Sequence, residues 1–199
     1  RGVFFDNSEA RMELLQLINN PRNKWGKEMV ILNQDIDNEQ LFPIVEIFHS
    51  VQGEGYHAGI PSIFVRFGGC NLRWAWRDTD FDIWTDMSIS QIVNELSKFD
   101  CDRIIFTGGE PALQDLVTLS GFLKPLGYYL SIETNGTIVI PSDTIDWICV
   151  SPKDQEYENI KIRQRTGDEL KVVYLGQDLA MYNELKRGFN HLFLQPLYD

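Results

Sequence analysis

Seven short runs rich in β-branched and aromatic residues, at 44–49, 62–67, 103–107, 128–133, 146–150, 170–174 and 191–195, limit the fold most. Each reads as a strand. Helical patterns lie between several of them. Ile89, Ile92, Val93, Leu96 and Phe99 share one face, and Ser88 with Gln91 forms a capping box in front of it. Leu113, Leu116, Val117 and Leu123 mark a second face, and Leu179, Tyr182 and Leu185 a third. Strands that alternate with helices pair in parallel through crossovers. The 199 residues are too few for a closed eight-stranded barrel, which takes ~250. The expected class is therefore α/β, an open partial parallel barrel of about six strands.

Residues 1–40 read as an N-terminal extension and 41–199 as the barrel. In the extension, Asp6 to Glu9 cap a short helix with Met12, Leu14, Leu15, Leu17 and Ile18 as its apolar positions, and Asn20-Pro21 ends it. An arm of this kind serves packing or a dimer contact. The net charge of −11 argues against a nucleic-acid partner, which selects a basic face. No apolar run approaches a membrane span. Three scattered cysteines are no disulfide framework, so a reducing cytoplasm is the expected compartment.

The polar and glycine-rich signals follow directly after strands: Thr107-Gly108-Gly109-Glu110-Pro111, Glu133-Thr134-Asn135-Gly136, Ser151-Pro152-Lys153 and Gln195-Pro196. In a parallel barrel such positions meet at the C-terminal mouth, where active sites of this architecture form. Residues 107–111 are either a plain strand-to-helix turn or a cradle in which two glycines let backbone approach a ligand. Lys153 is either a ligand contact or a solvated charge.

Two further stretches carry a resemblance. The first is Ser50-Val51-Gln52-Gly53-Glu54-Gly55 with Gly59-Ile60-Pro61 and Phe64-Val65-Arg66; the second is Gly68 to Thr79. Together with the strand-end motifs, Glu169-Leu170-Lys171 and Leu194-Gln195-Pro196, they resemble the 7-carboxy-7-deazaguanine synthases. These are radical S-adenosylmethionine enzymes of deazapurine (queuosine-type) biosynthesis. The resemblance runs from about Pro43 to the last residue.

It implies a ring contraction of 6-carboxy-5,6,7,8-tetrahydropterin with release of ammonia, begun by a 5′-deoxyadenosyl radical, in a homodimeric protein. It also implies roles for individual residues. Gln52, Glu54 and Gly55 look like pterin-edge contacts, with Gln195 at the same site. Arg66 resembles a clamp on the substrate carboxylate, a task that suits the guanidinium fork. Gly108, Gly109, Glu110, Thr134, Asn135, Ser151 and Lys153 match the S-adenosylmethionine pocket. Thr79 resembles a hydroxyl ligand of Mg²⁺, or else is a turn residue.

The cluster loop departs from the family. Cys-x3-Cys-x2-Cys is the pattern, and here Cys70 fills the first place while Trp74 and Arg77 stand in the second and third. Three thiolates hold three irons of a [4Fe–4S] cluster. Indole offers no lone pair, and a guanidinium stays protonated. Cys101 precedes its strand and belongs at the opposite mouth, ~20 Å from Thr107 at about 3.3 Å per residue. Cys149 lies within a strand, where a free cysteine packs as a small hydrophobe. The chain is thus either an altered synthase or a cluster-free protein that binds S-adenosylmethionine, a pterin-like molecule or a partner. The histidines are not at metal-ligand spacing. His49 and His191 read as packing residues, and His57 lies in the substrate loop.

Overall fold

The computed structural model describes residues 40–72, 83–141, 143–153 and 160–196. The extension therefore lies outside the described residues, apart from Gln40.

One sheet of eight strands, in the order β3-β1-β2-β4-β5-β6-β7-β8, forms the centre. Its strands are β1 (Leu41–Val51), β2 (Pro61–Phe67), β3 (Thr85–Ser88), β4 (Arg103–Gly108), β5 (Tyr129–Thr134), β6 (Trp147–Val150), β7 (Gly167–Tyr174) and β8 (Phe189–Pro196). From β2 through β8, skipping β3, each strand pairs in parallel with its predecessor. A sheet that grows in one direction with no reversal of strand order is the winding of a barrel rather than of a doubly wound fold. These six parallel strands are the expected partial barrel. The sheet is wider than expected because β1 and β3 add antiparallel to its first edge. The β3 strand, Thr-Asp-Met-Ser, carries no apolar run that would reveal it.

Helix α1 (Ile89–Leu96) begins at the expected capping box: Ser88 Oγ accepts from the Gln91 amide, and the Ser88 amide donates to Gln91 Oε1 at 2.8 Å. Helix α2 (Leu116–Leu123) buries Leu116, Leu119 and Leu123. Leu113 and Val117, expected on that face, are exposed. Pro111 to Leu113 form a separate 3₁₀ turn, and α2 starts only after Asp115 caps it, which rotates Val117 outward. The third expected helix is two 3₁₀ turns, Leu179–Tyr182 and Leu185–Gly188. They still bury Tyr182 and Leu185 against Val150, Leu170 and Val172.

Alternation along the strands divides the sheet into two faces. Ile63, Val65, Phe67, Ile104, Phe106, Leu130 and Ile132 pack outward with α1 and α2 in the main core. The opposite, concave face carries Arg66 on β2, Ser131 and Glu133 on β5, Cys149 on β6, and Glu169 and Lys171 on β7. A concave face this polar is stable only where each charge finds a partner.

Candidate active site

The strand-end motifs meet at one end of the sheet. Gly109 N–H donates to the Phe67 carbonyl, and Ser151 N–H to the Thr134 carbonyl. Gly108 has φ +114°, and a Cβ there would strike the β2 backbone. A Cβ on Gly109 would collide with the Gly69 carbonyl. Both glycines are thus needed first for the close approach of the 68–70 loop to β4.

Glu110 is fully buried and braces this junction. Its Oε1 accepts from Ala112 N–H at 2.9 Å and Thr134 Oγ1 at 2.7 Å, and its Oε2 from Asn135 N–H at 2.7 Å. Burial raises its carboxyl above the ordinary range even against these donors. Asn135 Nδ2 donates to Asn71 Oδ1, and Asn71 Nδ2 to Thr137 Oγ1. This ladder ties the loop that carries Cys70 to the end of β5. Lys153 Nζ donates to Ser151 Oγ at 2.8 Å. Burial, then the nearby Lys171 charge, lowers its ammonium; it is not a solvated lysine.

The Gln52 loop lies elsewhere. Residues 52–60 join β1 to β2 at the N-terminal end of the parallel strands, so Gln52 and Gln195 do not share one rim. The loop folds inward instead, along the concave face. Gln52 Nε2 donates to Glu133 Oε1 at 2.8 Å. Lys171 Nζ lies 2.8 Å from Glu54 Oε2 and 3.1 Å from Glu133 Oε1. Tyr56 N–H donates to Glu169 Oε2 at 3.1 Å, and a Cβ on Gly55, at φ +70°, would strike that carboxylate. Burial alone would raise Glu133, yet Lys171 and the Gln52 amide hold it below the ordinary range. Burial likewise opposes the charge on Lys171, and Glu133, Cys149 and Glu54 raise it above its usual value. The loop and barrel leave a cavity of ≈ 20 Å³ between them, room for about one water.

At the foot of this plug, His57 lies 4.3 Å from Trp147 and 6.3 Å from Tyr129 between ring centroids, and its Nε2 is 3.1 Å from Arg103 Nη2. It is a packing residue at the N-terminal mouth. Arginine only donates, so His57 is neutral and accepts. Burial lowers its pKa first, then Arg103 and His191, with Asp168 opposing. The unfolded chain takes up a proton near 6.5 while the folded ring does not, so stability falls as the pH drops below that value. Thermal unfolding of the protein and His57→Gln between pH about 7.5 and about 5.5 is expected to show a smaller acid loss in the variant.

Arg66 stands on the concave face beside β1. Its Nε donates to Glu46 Oε1 at 2.7 Å, and its guanidinium lies 5.6 Å from the Phe48 ring. Glu46 engages Nε alone, which leaves the terminal nitrogens for a carboxylate fork. Phe48 stacks on Phe64 at 5.1 Å next to it, a flat apolar wall.

An interior with an arginine fork, an amide, two carboxylates and an ammonium suits a flat, anionic heterocycle. Over 153 residues the chain is 45% identical to the 7-carboxy-7-deazaguanine synthase of Bacteroides thetaiotaomicron, covering 77% of this chain and 80% of that one. It belongs to the 7-carboxy-7-deazaguanine synthases. The synthase of Neisseria meningitidis is 41% identical over 171 residues, with 83% and 79% coverage. The crystal structure of QueE from Escherichia coli superposes with a TM-score of 0.70 at 26% identity, covering 84% of this chain and 89% of that one. No protein-family model matches the chain.

Within the synthase frame, the concave face brings together Gln52, Glu54, Gly55 and Arg66. Gln195 lies on β8 opposite Val173, beyond Lys171 toward the C-terminal end. Gly108, Gly109, Glu110, Thr134, Asn135, Ser151 and Lys153 gather at the ends of β4, β5 and β6. Sequence reasoning noted Glu169 and Lys171 only as a motif, assigned Glu133 no role, and missed Glu46. Their signal was charge on strands whose other face is apolar.

Thr79, Trp74 and Arg77 lie outside the described residues. Among the described residues no three His, Cys, Asp or Glu side chains could hold a metal, and no helix is long and apolar enough to cross a membrane. Cys101 Sγ lies 3.6 Å from the Pro61 carbonyl and 3.7 Å from that of Arg103, which share its one proton, at the N-terminal ends of β2 and β4 as expected. Cys149 is buried within β6, as expected. It stands in register between Glu133 and Glu169, and burial pushes its thiol well up. These thiols and Cys70 occupy three separate places, so the described residues do not fit a cluster held by three thiolates.

Proposed function

We propose that the concave face is the pterin site of a 7-carboxy-7-deazaguanine synthase. The chain of contacts Gln52–Glu133–Lys171–Glu54, open toward Arg66, carries this reading. The Gln52 amide both donates and accepts, and the carboxylates of Glu54 and Glu133 accept from ring N–H groups. These are the complements a pterin edge needs. Arg66 holds the substrate carboxylate by its terminal nitrogens, with Glu46 fixing the guanidinium from behind. Gly55 borders this space beside Glu169, and Gln195 stands beyond Lys171 toward the C-terminal end of the same strands. Lys171 is a positioning residue that holds both carboxylates in place and keeps Glu133 ionised.

S-adenosylmethionine is placed across the ends of β4, β5 and β6. The Gly108-Gly109 backbone and the Ser151 and Lys153 side chains offer groups for its ammonium and carboxylate, while Glu110, Thr134 and Asn135 keep that backbone in place. Thr79 belongs to the same reading as an oxygen ligand for Mg²⁺, a hard cation that keeps several waters. A homodimer belongs to it too. The outer face of edge strand β8 exposes Leu192 and Leu194, an apolar strip that suits a second copy, and sedimentation measures that state directly.

Calorimetry with 6-carboxy-5,6,7,8-tetrahydropterin tests the site. Arg66→Ala is expected to weaken binding roughly ten- to a hundredfold, the worth of about 1.5–3 kcal/mol for hydrogen bonds to a charged group. Arg66→Lys is expected to recover only part, because an ammonium lacks the fork. Unchanged affinity in Arg66→Ala would remove the carboxylate clamp from this reading.

A further inference from the structure

We infer that this chain is a synthase scaffold that holds no [4Fe–4S] cluster, and that Trp74 and Arg77, in the places of two of its three thiolates, are what keeps it from holding one. The inference rests on the proposed reading of the site for its ligands, and on the cysteine positions alone for the metal.

The first half follows from where the thiols are. Cys101 is bound to carbonyls at the N-terminal ends of β2 and β4, the far end from Cys70. Cys149 is on β6, three strands along the sheet from β2, a lateral distance of about 14 Å at ~4.8 Å per strand. It is buried beneath the Gln52 loop between two carboxylates. No rotation of either side chain brings it beside Cys70. Trp74 and Arg77 supply no metal-binding lone pair. One thiolate remains where the cluster takes three.

The second half follows from what the loop keeps. If the cluster had held the loop in place, losing it would loosen the surrounding contacts. They are complete. Gly69 accepts from Glu110 N–H at 2.9 Å, and the glycine at 109 makes room for its carbonyl. Asn71 is held by Asn135 at 2.9 Å and in turn holds Thr137 at 2.7 Å. Cys70 Sγ accepts from Leu72 N–H at 3.4 Å. The first ligand position is thus fixed by the fold itself, beside the strand ends assigned to S-adenosylmethionine. The pterin site is separate again, built on β2, β5, β7 and the 52–56 loop. Loss of two cysteines therefore removes the iron and leaves both organic ligands their contacts.

The test uses the full chain, reconstituted anaerobically with iron and sulfide and assayed for both elements and for thiolate-to-iron charge-transfer absorption. The chain as it stands is expected to retain less than about one iron and to show no such band, while the pterin still binds in calorimetry. The paired variant Trp74→Cys with Arg77→Cys is expected to gain about four irons per chain and the charge-transfer band. Adding Cys70→Ala to that variant should abolish the gain. About four irons in the unaltered chain would overturn the first half of the inference. A paired variant that binds the pterin normally and still takes up no iron would overturn the second. Failure of both proteins to bind the pterin would instead overturn the proposed site, with the iron result standing.

Discussion

Lys171→Met is expected to destabilise the chain by about 3–5 kcal/mol, the usual result of removing one partner from a buried charge cluster. Lys171 is 5% exposed, and its ammonium is the cation shared by Glu54 and Glu133. Methionine fills the volume and leaves the two carboxylates without the cation they share. Urea unfolding at neutral pH reads the loss as a lower midpoint at unchanged slope. The pH dependence identifies the cause. In the parent, Glu133 is held below 4.5, so its contribution is present above that value and lost as the pH falls through the folded pKa. In the variant, only the Gln52 amide and the more distant Lys153 charge still oppose burial, and Glu133 rises from its parent value. Protonation then removes the unpaired charge, and the defect should shrink as the pH falls toward 4.5. A defect that stays constant with pH would mean that lost packing, not an unpaired charge, is the cause. Lys171→Met with Glu133→Gln is expected to recover part of the stability without restoring pterin affinity.

Glu110→Ala is expected to cost about 3–9 kcal/mol, from two buried amides and one hydroxyl left without an acceptor at ~1–3 kcal/mol each. Glutamine is a poor replacement. Its oxygen can serve Ala112 and Thr134, but its NH₂ then faces the Asn135 N–H, donor against donor. Hydrogen exchange at Ala112 and Asn135 locates the damage: the Asn135 amide should lose protection in Glu110→Gln, and both amides in Glu110→Ala, before α1 does. Equal loss throughout the chain would show instead that Glu110 acts on global stability alone. Because the Asn71–Asn135 ladder hangs from this brace, the loop bearing Cys70 is expected to loosen with it.

Much of the scaffold was legible because it depends on local pattern. All seven apolar runs are strands, since β-branched and aromatic side chains in runs of this length suit a half-buried pleat. The Ser88–Gln91 box starts α1 because two side chains three residues apart satisfy two orphan amides. Other features were not local. Thr-Asp-Met-Ser becomes β3 because β1 offers it an edge, not because of its own propensity. Leu179 to Leu185 has helical spacing but turns as two 3₁₀ segments, as it need only cover one strip of β6 and β7. Glu133 was overlooked because a single charge in a strand reads as solvent-facing until the other side of the sheet is known.

The sequence by itself determined the order of the strands, the places where they end and the residue types offered there. It also determined that only one thiolate stands in the cluster loop, since no fold turns an indole or a guanidinium into an iron ligand. Tertiary structure alone decided which charges meet. Gln52 and Glu54 leave β1 at the end of the sheet opposite the Gly108-Gly109 turn. Chain spacing would send them away from Glu133 and Lys171. They reach both because the loop folds onto the concave face, where the buried Lys171 ammonium needs carboxylate partners and Glu133 needs a donor.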